Sequence, residues 1–415
     1  MKNLIKKIFK PRVKYQPLIE VRVFKDSLLH NLKQFQSTYP NLQIAPVLKS
    51  NAYGHGLWQV AQVFDKQGCP FFVADSFYEA LTLRQNGIQT KILILGYVRP
   101  KELLEEKIKN VSACIISLGQ LKFISENLKK PKNFHLKLDT GMHRQGVLIS
   151  EVGEAIGLIK KNQNIILEGV CSHFADADGE SSGFTNQQIT EWNKAGKIFK
   201  QNFPTIKYFH LSNTAGTYFK AGNANVARVG IGLYGINASL VSFRGSQTTE
   251  ESLKLNNRQA LRDASPSVAL GVGMTPRSSQ ILDLKPALEM RSVISGIKTI
   301  SVGEKVGYGI TFEAKQTMKI ATVPVGYYEG IDRRLSNIGF VKIGQTFCPI
   351  IGRVSMNISS IDVSEAGDVQ LGQEVVVISN KKEDKNSVEN IAKLCGCIPY
   401  EILVHIPSNL RRIIK

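Results

Sequence analysis

The stretch IAPVLKSNAYGHGLWQVAQVFDKQGCPFFVADSFYEALTLRQNGIQTKILILG, residues 44–96, decides the fold. It alternates the apolar runs IAPVLK (44–49), FFVAD (71–75) and KILILG (91–96) with LWQVAQVFDKQG (57–68) and FYEALTLRQNG (77–87). The short continuous runs read as strands buried on both faces, and the segments between them repeat their apolar residues at helical spacing. Gly68 and Gly87 stand where helix C-termini are expected. Outward from this core the pattern continues at SACIIS (112–117), NFHLKLD (133–139), LEGVCSHF (167–174), KYFHLSN (207–213) and VARVGIGLYG (226–235). About eight strands with helices between them predict a TIM-like parallel (β/α)8 barrel over residues 15–238, rather than an open sheet.

Residues 239–282 break the rhythm. They are polar and rich in Ser, Gly and Gln, with one short helix expected at 250–263, and read as a linker or an inserted excursion. From residue 283 to 415 short strands and turn signals recur, as in MRSVISGIKTI, KIATVPVG, VKIGQTFCPIIG and EVVVIS. This spacing predicts a second, mostly antiparallel β-domain, closed by a helix near 386–394 and a final strand at 400–406.

The first 14 residues, MKNLIKKIFKPRVK, are basic but lead into no apolar segment of signal-peptide length. No apolar run reaches the ~20 residues that span a bilayer, so the expectation is a cytoplasmic protein. The six cysteines are scattered and include no Cys-x-x-Cys pair, which points to reduced thiols rather than zinc. The net charge of +19 is spread along the chain without a nucleic-acid-binding motif, so no nucleic-acid partner is expected.

Barrels of this kind place reactive groups at the C-terminal ends of their strands. Lys49 ends the run IAPVLK and precedes a Gly-rich turn. A partly desolvated lysine there is suited to forming an imine with an aldehyde, although most strand-end lysines simply reach for solvent. Arg228 ends a strand and is followed by closely spaced glycines, whose exposed backbone N–H groups suit a phosphate. The segment lacks the full dinucleotide fingerprint. Arg144, after the Thr-Gly turn of KLDTGMHRQG (137–146), is placed to clamp a carboxylate. SHFADAD (172–178) and HLSNTAG (210–216) add His173, Asn213 and Thr214; a lone His with two Asp lacks the second imidazole that a metal site would want. Tyr308 lies between two glycines in GEKVGYGITF, with its hydroxyl accessible.

Together these segments resemble the alanine racemase family. VLKSNAYGHG, KLDTGMHRQG, SHFADAD with its following FTNQQ, HLSNTAG, RVGIGLYG, VGYGITF, VPVGYYEGIDRRLSN, GRVSMN and IPYEIL occur in the family's order over roughly residues 20–238 and 284–406. The resemblance implies a pyridoxal 5'-phosphate barrel fused to a β-domain, working as a head-to-tail homodimer on alanine. It implies that Lys49 carries the cofactor and acts as one base, while Tyr308 serves the neighbouring subunit's site as the base on the opposite face. Tyr53, Thr214, Gly230, Ile231 and Tyr400 match the phosphate-binding positions, His173 and Asn213 residues lining the ring, and Arg228 the arginine facing the pyridine nitrogen. Arg144 and the backbone of Met356 match the carboxylate site. Lys137 matches a lysine that is carbamylated in many members, and Tyr327 and Tyr400 match tyrosines that narrow the entrance.

Two departures stand out. Asn357 occupies a position that is usually Asp, and the 239–282 excursion is extra. A broad-specificity or serine racemase of the same fold, or a non-catalytic cofactor-binding protein, are the competing readings. Tyr400 as a bulky entrance residue favours alanine over serine, and the second domain with Tyr308 speaks against a mere carrier.

Overall fold

The computed structural model describes residues 16–105, 107–179, 182–237 and 282–415. The basic segment 1–14, the helix expected at 250–263 and nearly all of the 239–282 excursion lie outside the described residues. Two compact units emerge: the described residues of Phe24–Ala287 with Val388–His405, and those of Met1–Val23, Leu288–Ser387 and Ile406–Lys415.

The first unit is a closed parallel barrel. Its strands are β1 (Gln43–Pro46), β2 (Phe72–Ala74), β3 (Ile92–Ile94), β4 (Val111–Ile115), β5 (Lys132–Asp139), β6 (Ile165–Cys171), β7 (Tyr208–His210) and β8 (Val226–Val229). From β2 to β7 each pairs in parallel with the next, and β8 pairs in parallel with β1. Two seams close the ring. A Val47–Val73 bridge joins β1 to β2, with Leu48 N donating to Val73 O at 2.8 Å. On the other side Asn225 N donates to Phe209 O and Arg228 N to Ser212 O, each at 2.9 Å. Closure leaves no exposed edge among the described strands of the ring.

Buried Ala45, Val47, Phe71, Val73, Leu93 and Val226 pack together across β1, β2, β3 and β8. Helices supply the surrounding apolar stripes: Lys25–Thr38 buries Leu28, Leu32 and Phe35, and Gly183–Asn202 buries Ile189, Trp192 and Phe199. Burying a side chain such as Leu28 or Phe35 contributes about 1.5–3 kcal/mol. The Ser76 hydroxyl caps the helix Phe77–Gln85 by accepting Glu79 N at 3.3 Å.

The second unit holds a nine-stranded sheet in the order Gly296–Ile300, Met318–Val323, Ser359–Asp362, Thr346–Ile351, Phe340–Ile343, Glu374–Ile378, Leu288–Val293, Glu20–Val23 and Arg412–Ile414. All its pairings are antiparallel except the last, so the sheet is mostly antiparallel as expected. The run MRSVISGIKTI is two strands that share this sheet.

One expectation is corrected. The segment expected as a strand at 400–406 is the helix Pro399–Val404. Pro399 sits in its first turn, where a missing N–H costs nothing, and Glu401 complements the positive helix end. That helix belongs to the barrel unit and packs against residues 49–53, which brings Tyr400 to the barrel mouth.

Candidate active site

The chain leaves β1 through a turn with unusual handedness. Ser50, Asn51, Ala52 and Tyr53 all have φ between 51° and 56°. For residues with a Cβ, this conformation costs roughly 1–2 kcal/mol each. Hydrogen bonds from several directions hold it. Glu79 Oε1 accepts Ser50 N at 2.7 Å while its Oε2 accepts Asp75 N at 2.7 Å, and Ala52 N donates to Leu48 O at 2.7 Å. Asn51 Oδ1 accepts Leu57 N at 2.9 Å and so caps the helix Leu57–Phe64. Strain maintained in this way belongs to a site rather than to a scaffold. Lys49 opens the turn.

A cavity of about 320 Å³ lies at this mouth of the barrel. Lys49, Tyr53, Lys137 and Arg144 line it from one set of strand ends; His173, Asn213, Thr214, Arg228, Gly230 and Ile231 line it from another. Tyr400 completes the wall. Every barrel-unit residue singled out in the sequence therefore converges on one space.

The wall beside Gly230 is shaped for close approach. A Cβ added at Gly230 would lie 2.6 Å from the Tyr53 hydroxyl, so any larger residue displaces that phenol. The Tyr53 ring stands between Tyr234 and Tyr400, with centroids 5.2 and 5.8 Å away. Burial pushes the Tyr53 hydroxyl up to about 12 and raises Tyr400 as well, so both remain protonated donors at neutral pH. Thr214 Oγ1 accepts Gly230 N at 3.2 Å and Gly232 N at 3.4 Å, which leaves its own proton to donate. Hydroxyl donors around a glycine suit an anionic oxygen cluster such as a phosphate.

Opposite them sits a strongly cationic wall. Arg228 and Lys137 are both buried. Burial lowers the Lys137 amine, and the charges of Arg228 and Arg144 push it the same way. No carboxylate among the described residues forms an ion pair with Lys137. The thiols of Cys114 and Cys171 lie 3.6 Å apart close by. His173 Nδ1 lies 3.1 Å from Arg228 Nη2; burial and then Arg228 hold this imidazole well below its usual range, hence neutral. The turn carrying Arg144 is tied by buried Asp139, whose Oδ1 accepts Gly141 N at 2.9 Å and His143 N at 3.0 Å.

In the β unit, Tyr308, Tyr327, Met356 and Asn357 line a separate open groove. Tyr308 is 73% exposed, on a short turn between Gly307 and Gly309 whose φ values are 77° and 71°. Sequence reasoning missed four polar residues inside the barrel: Lys91, His135, Glu168 and His210. The signal was the alternation His135, Lys137, Asp139 along β5, which puts all three on one face.

Family comparisons match the same division of the chain. The alanine racemase N-terminal domain matches residues 23–238 and the alanine racemase C-terminal domain residues 287–414. The chain belongs to the alanine racemase family. An alanine racemase of Staphylococcus carnosus is 33% identical over 96% of this chain and 95% of its own length. One from Methanococcus maripaludis is 30% identical over 93% and 96%. Among solved structures, alanine racemase from Clostridium difficile 630 superposes with a TM-score of 0.79 at 27% identity, covering 97% of each chain. The racemase from Bacillus anthracis with bound L-Ala-P gives 0.78 at 25% identity, covering 97% and 96%. The protein is accordingly an amino-acid racemase, an isomerase. No helix among the described residues of this racemase is long and apolar enough to cross a membrane.

Proposed function

We propose that this racemase interconverts L- and D-alanine with pyridoxal 5'-phosphate bound covalently to Lys49, supplying D-alanine for cell-wall peptidoglycan in the cytoplasm. The convergence of Lys49, the hydroxyls of Tyr53 and Thr214, and Arg228 on one cavity carries this reading. The space kept open at Gly230 fits a phosphate between Tyr53, Tyr400, Thr214 and the backbone of Gly230 and Ile231. Bound there, the cofactor supplies the electron sink that makes the substrate's Cα–H acidic.

The chain's own groups do the rest. Lys49 Nζ removes or returns the Cα proton on one face. The partner subunit's Tyr308 does so on the other, in a head-to-tail homodimer; an exposed phenol on a tight turn suits that role. Arg144, with the backbone N–H of Met356, holds the substrate carboxylate. Lys137, whose amine is lowered and which has no ion-pair partner among the described residues, is suited to carbamylation, and the resulting negative charge would steady Arg144. His173 and Asn213 flank the ring, and Arg228 faces its nitrogen as a donor that cannot surrender its proton. Tyr400 and Tyr327 narrow the entrance and favour alanine over larger amino acids. The relative crystallised with L-Ala-P supports an alanine-sized site.

Borohydride reduction of the purified protein followed by peptide mapping tests the assignment. A pyridoxyl group on the peptide containing Lys49 is expected. A colourless protein, inert towards both alanine enantiomers after the cofactor is added, refutes it. Comparing kcat/KM for alanine and serine separates the alanine enzyme from a broad-specificity racemase.

A further inference from the structure

Arg228 is the start of a chain of polar groups that runs down the inside of the barrel away from the cavity. Its guanidinium can only donate. Nη1 donates to His210 O at 2.6 Å and to His210 Nδ1 at 2.7 Å. Nη2 donates to Ser172 O at 2.6 Å, His173 Nδ1 at 3.1 Å and Leu211 O at 3.2 Å. Both terminal nitrogens are thereby committed, whereas Nε donates to no group among the described residues. Arg228 lines the cavity, and this one N–H is uncommitted.

The donor at Arg228 dictates the protons further down. His210 Nδ1 must accept, so its proton resides on Nε2, which lies 2.7 Å from His135 Nδ1. His135 Nδ1 accepts in turn, which places the His135 proton on Nε2, 3.8 Å from Glu168 Oε2. That separation exceeds hydrogen-bond length, so the attraction is electrostatic. Glu168 also accepts Ser112 Oγ at 2.9 Å and pairs with Lys91. Burial opposes ionisation of Glu168, but these donors outweigh it and hold the carboxyl down at about 2. Burial keeps both imidazoles below their usual range, so each is neutral. A cation that only donates and an anion that only accepts ask for the same proton pattern from opposite ends. The reverse pattern would set the Nδ1–H of His210 against the guanidinium.

The site is built for this arrangement. Tyr208 stacks on His135 at 5.7 Å and 18°, and Phe71 meets it edge-on at 5.5 Å. Gly169, the cross-strand partner of His135, is the residue that makes room: a Cβ there would lie 2.4 Å from His135 Nδ1.

We propose that His135 and His210, hydrogen-bonded to each other and held electrostatically by Glu168, form a chain of fixed tautomers that aims the Nε–H of Arg228 into the cavity and so confines the enzyme to racemisation. They are positioning residues, since each acts only through Arg228. The proposal rests on the reading of Arg228 as the group facing the cofactor's ring nitrogen. An Arg228 donor kept in line leaves that nitrogen unprotonated; an Arg228 free to swing away lets it take a proton, which favours transamination as a side reaction.

Two measurements on the cofactor-loaded enzyme test it. The chain has seven histidines, and selective 15N-histidine labelling reads their tautomers directly. His135 and His210 should each show a protonated Nε2 and an unprotonated, hydrogen-bonded Nδ1 from pH 6 to 8. A protonated Nδ1 on His210 overturns the chain without recourse to any variant. In Glu168→Gln the charge is removed and the shape kept. The absorbance of bound cofactor should shift in its pH profile, and transamination per racemisation event should rise about tenfold, as outer-sphere substitutions typically allow. An unchanged ratio and spectrum, with the cofactor still on Lys49, overturns the proposal alone. Failure to find the cofactor on Lys49 overturns the underlying reading with it.

Discussion

Asn357 Nδ2 donates to Glu329 Oε1 at 2.6 Å, and Glu329 Oε2 accepts the Gly326 backbone N–H at 2.9 Å. Glu329 is buried, so it needs both donors. Tyr327 N and Tyr328 N donate to Ser355 O and Met356 O in the same loop pair, so this acid ties together the segments that carry Tyr327 and Met356. Where the family usually has an acid, this chain supplies an amide that pairs with a neighbouring carboxylate. The expected result for Asn357→Asp is therefore destabilisation, by about 1–3 kcal/mol, because a donor becomes a second carboxylate against a buried acid. Urea midpoints measure it. The penalty should relax as the pH falls and one acid takes a proton; a variant as stable as the parent at pH 8 contradicts the pairing.

Tyr308→Phe separates two bases from one. The loss should approach 10²–10⁴-fold in racemisation, the usual worth of a positioned general acid–base. Exchange of the Cα hydrogen with solvent should fall steeply for one alanine enantiomer and persist for the other, which the proposed base Lys49 would still serve. Equal exchange from both would defeat the two-base scheme.

Lys137 should hold carbon dioxide. An amine lowered by burial and flanked by Arg228 and Arg144 is more often neutral than an ordinary lysine, and a carbamate there converts one more cation into an anion beside two arginines. Protein equilibrated with 13C-bicarbonate should show a carbamate resonance that disappears in Lys137→Gln. Its presence in that variant would move the modification elsewhere.

The barrel was legible because its strands are short apolar runs that nothing else in the chain imitates, and β1 ends two residues before the turn that Lys49 opens. Other features could not be read off. A left-handed run through Ala52 and Tyr53 contradicts the intrinsic preference of those residues, and among the hydrogen bonds that sustain it those to Glu79 come from a distant part of the chain. Glu168 within IILEGVC reads as a blemish in a buried strand. Its partners Lys91 and His135 sit on β3's flank and β5, and His210 on β7, so they meet only once the ring has closed. The segment 400–406 reads as a strand because Ile402, Leu403 and Val404 are contiguous; Pro399 and packing against the Lys49 turn decide for a helix.

The buried imidazoles also set the acid limit of stability. His135, His173 and His210 are each held below the usual range, by burial first, with the charge of Arg228 adding to it in all three. Their folded-state affinity for protons is lower than that of the unfolded chain, which titrates near 6.5. Below that pH the unfolded state binds protons that the folded state refuses, so stability must fall as the pH drops. Three such groups contribute a slope of up to about 4 kcal/mol per pH unit once the unfolded imidazoles are fully protonated. Glu168 acts later, because a carboxyl held at about 2 loses its contribution only between roughly pH 4.3 and 2. Urea midpoints should therefore decline between pH 6.5 and 4.5, with proton uptake on unfolding visible by calorimetry in buffers of different ionisation enthalpy. A midpoint that stays level from pH 7 to 5 would mean that these rings are already charged inside the barrel, which the Arg228–His210 hydrogen bond forbids.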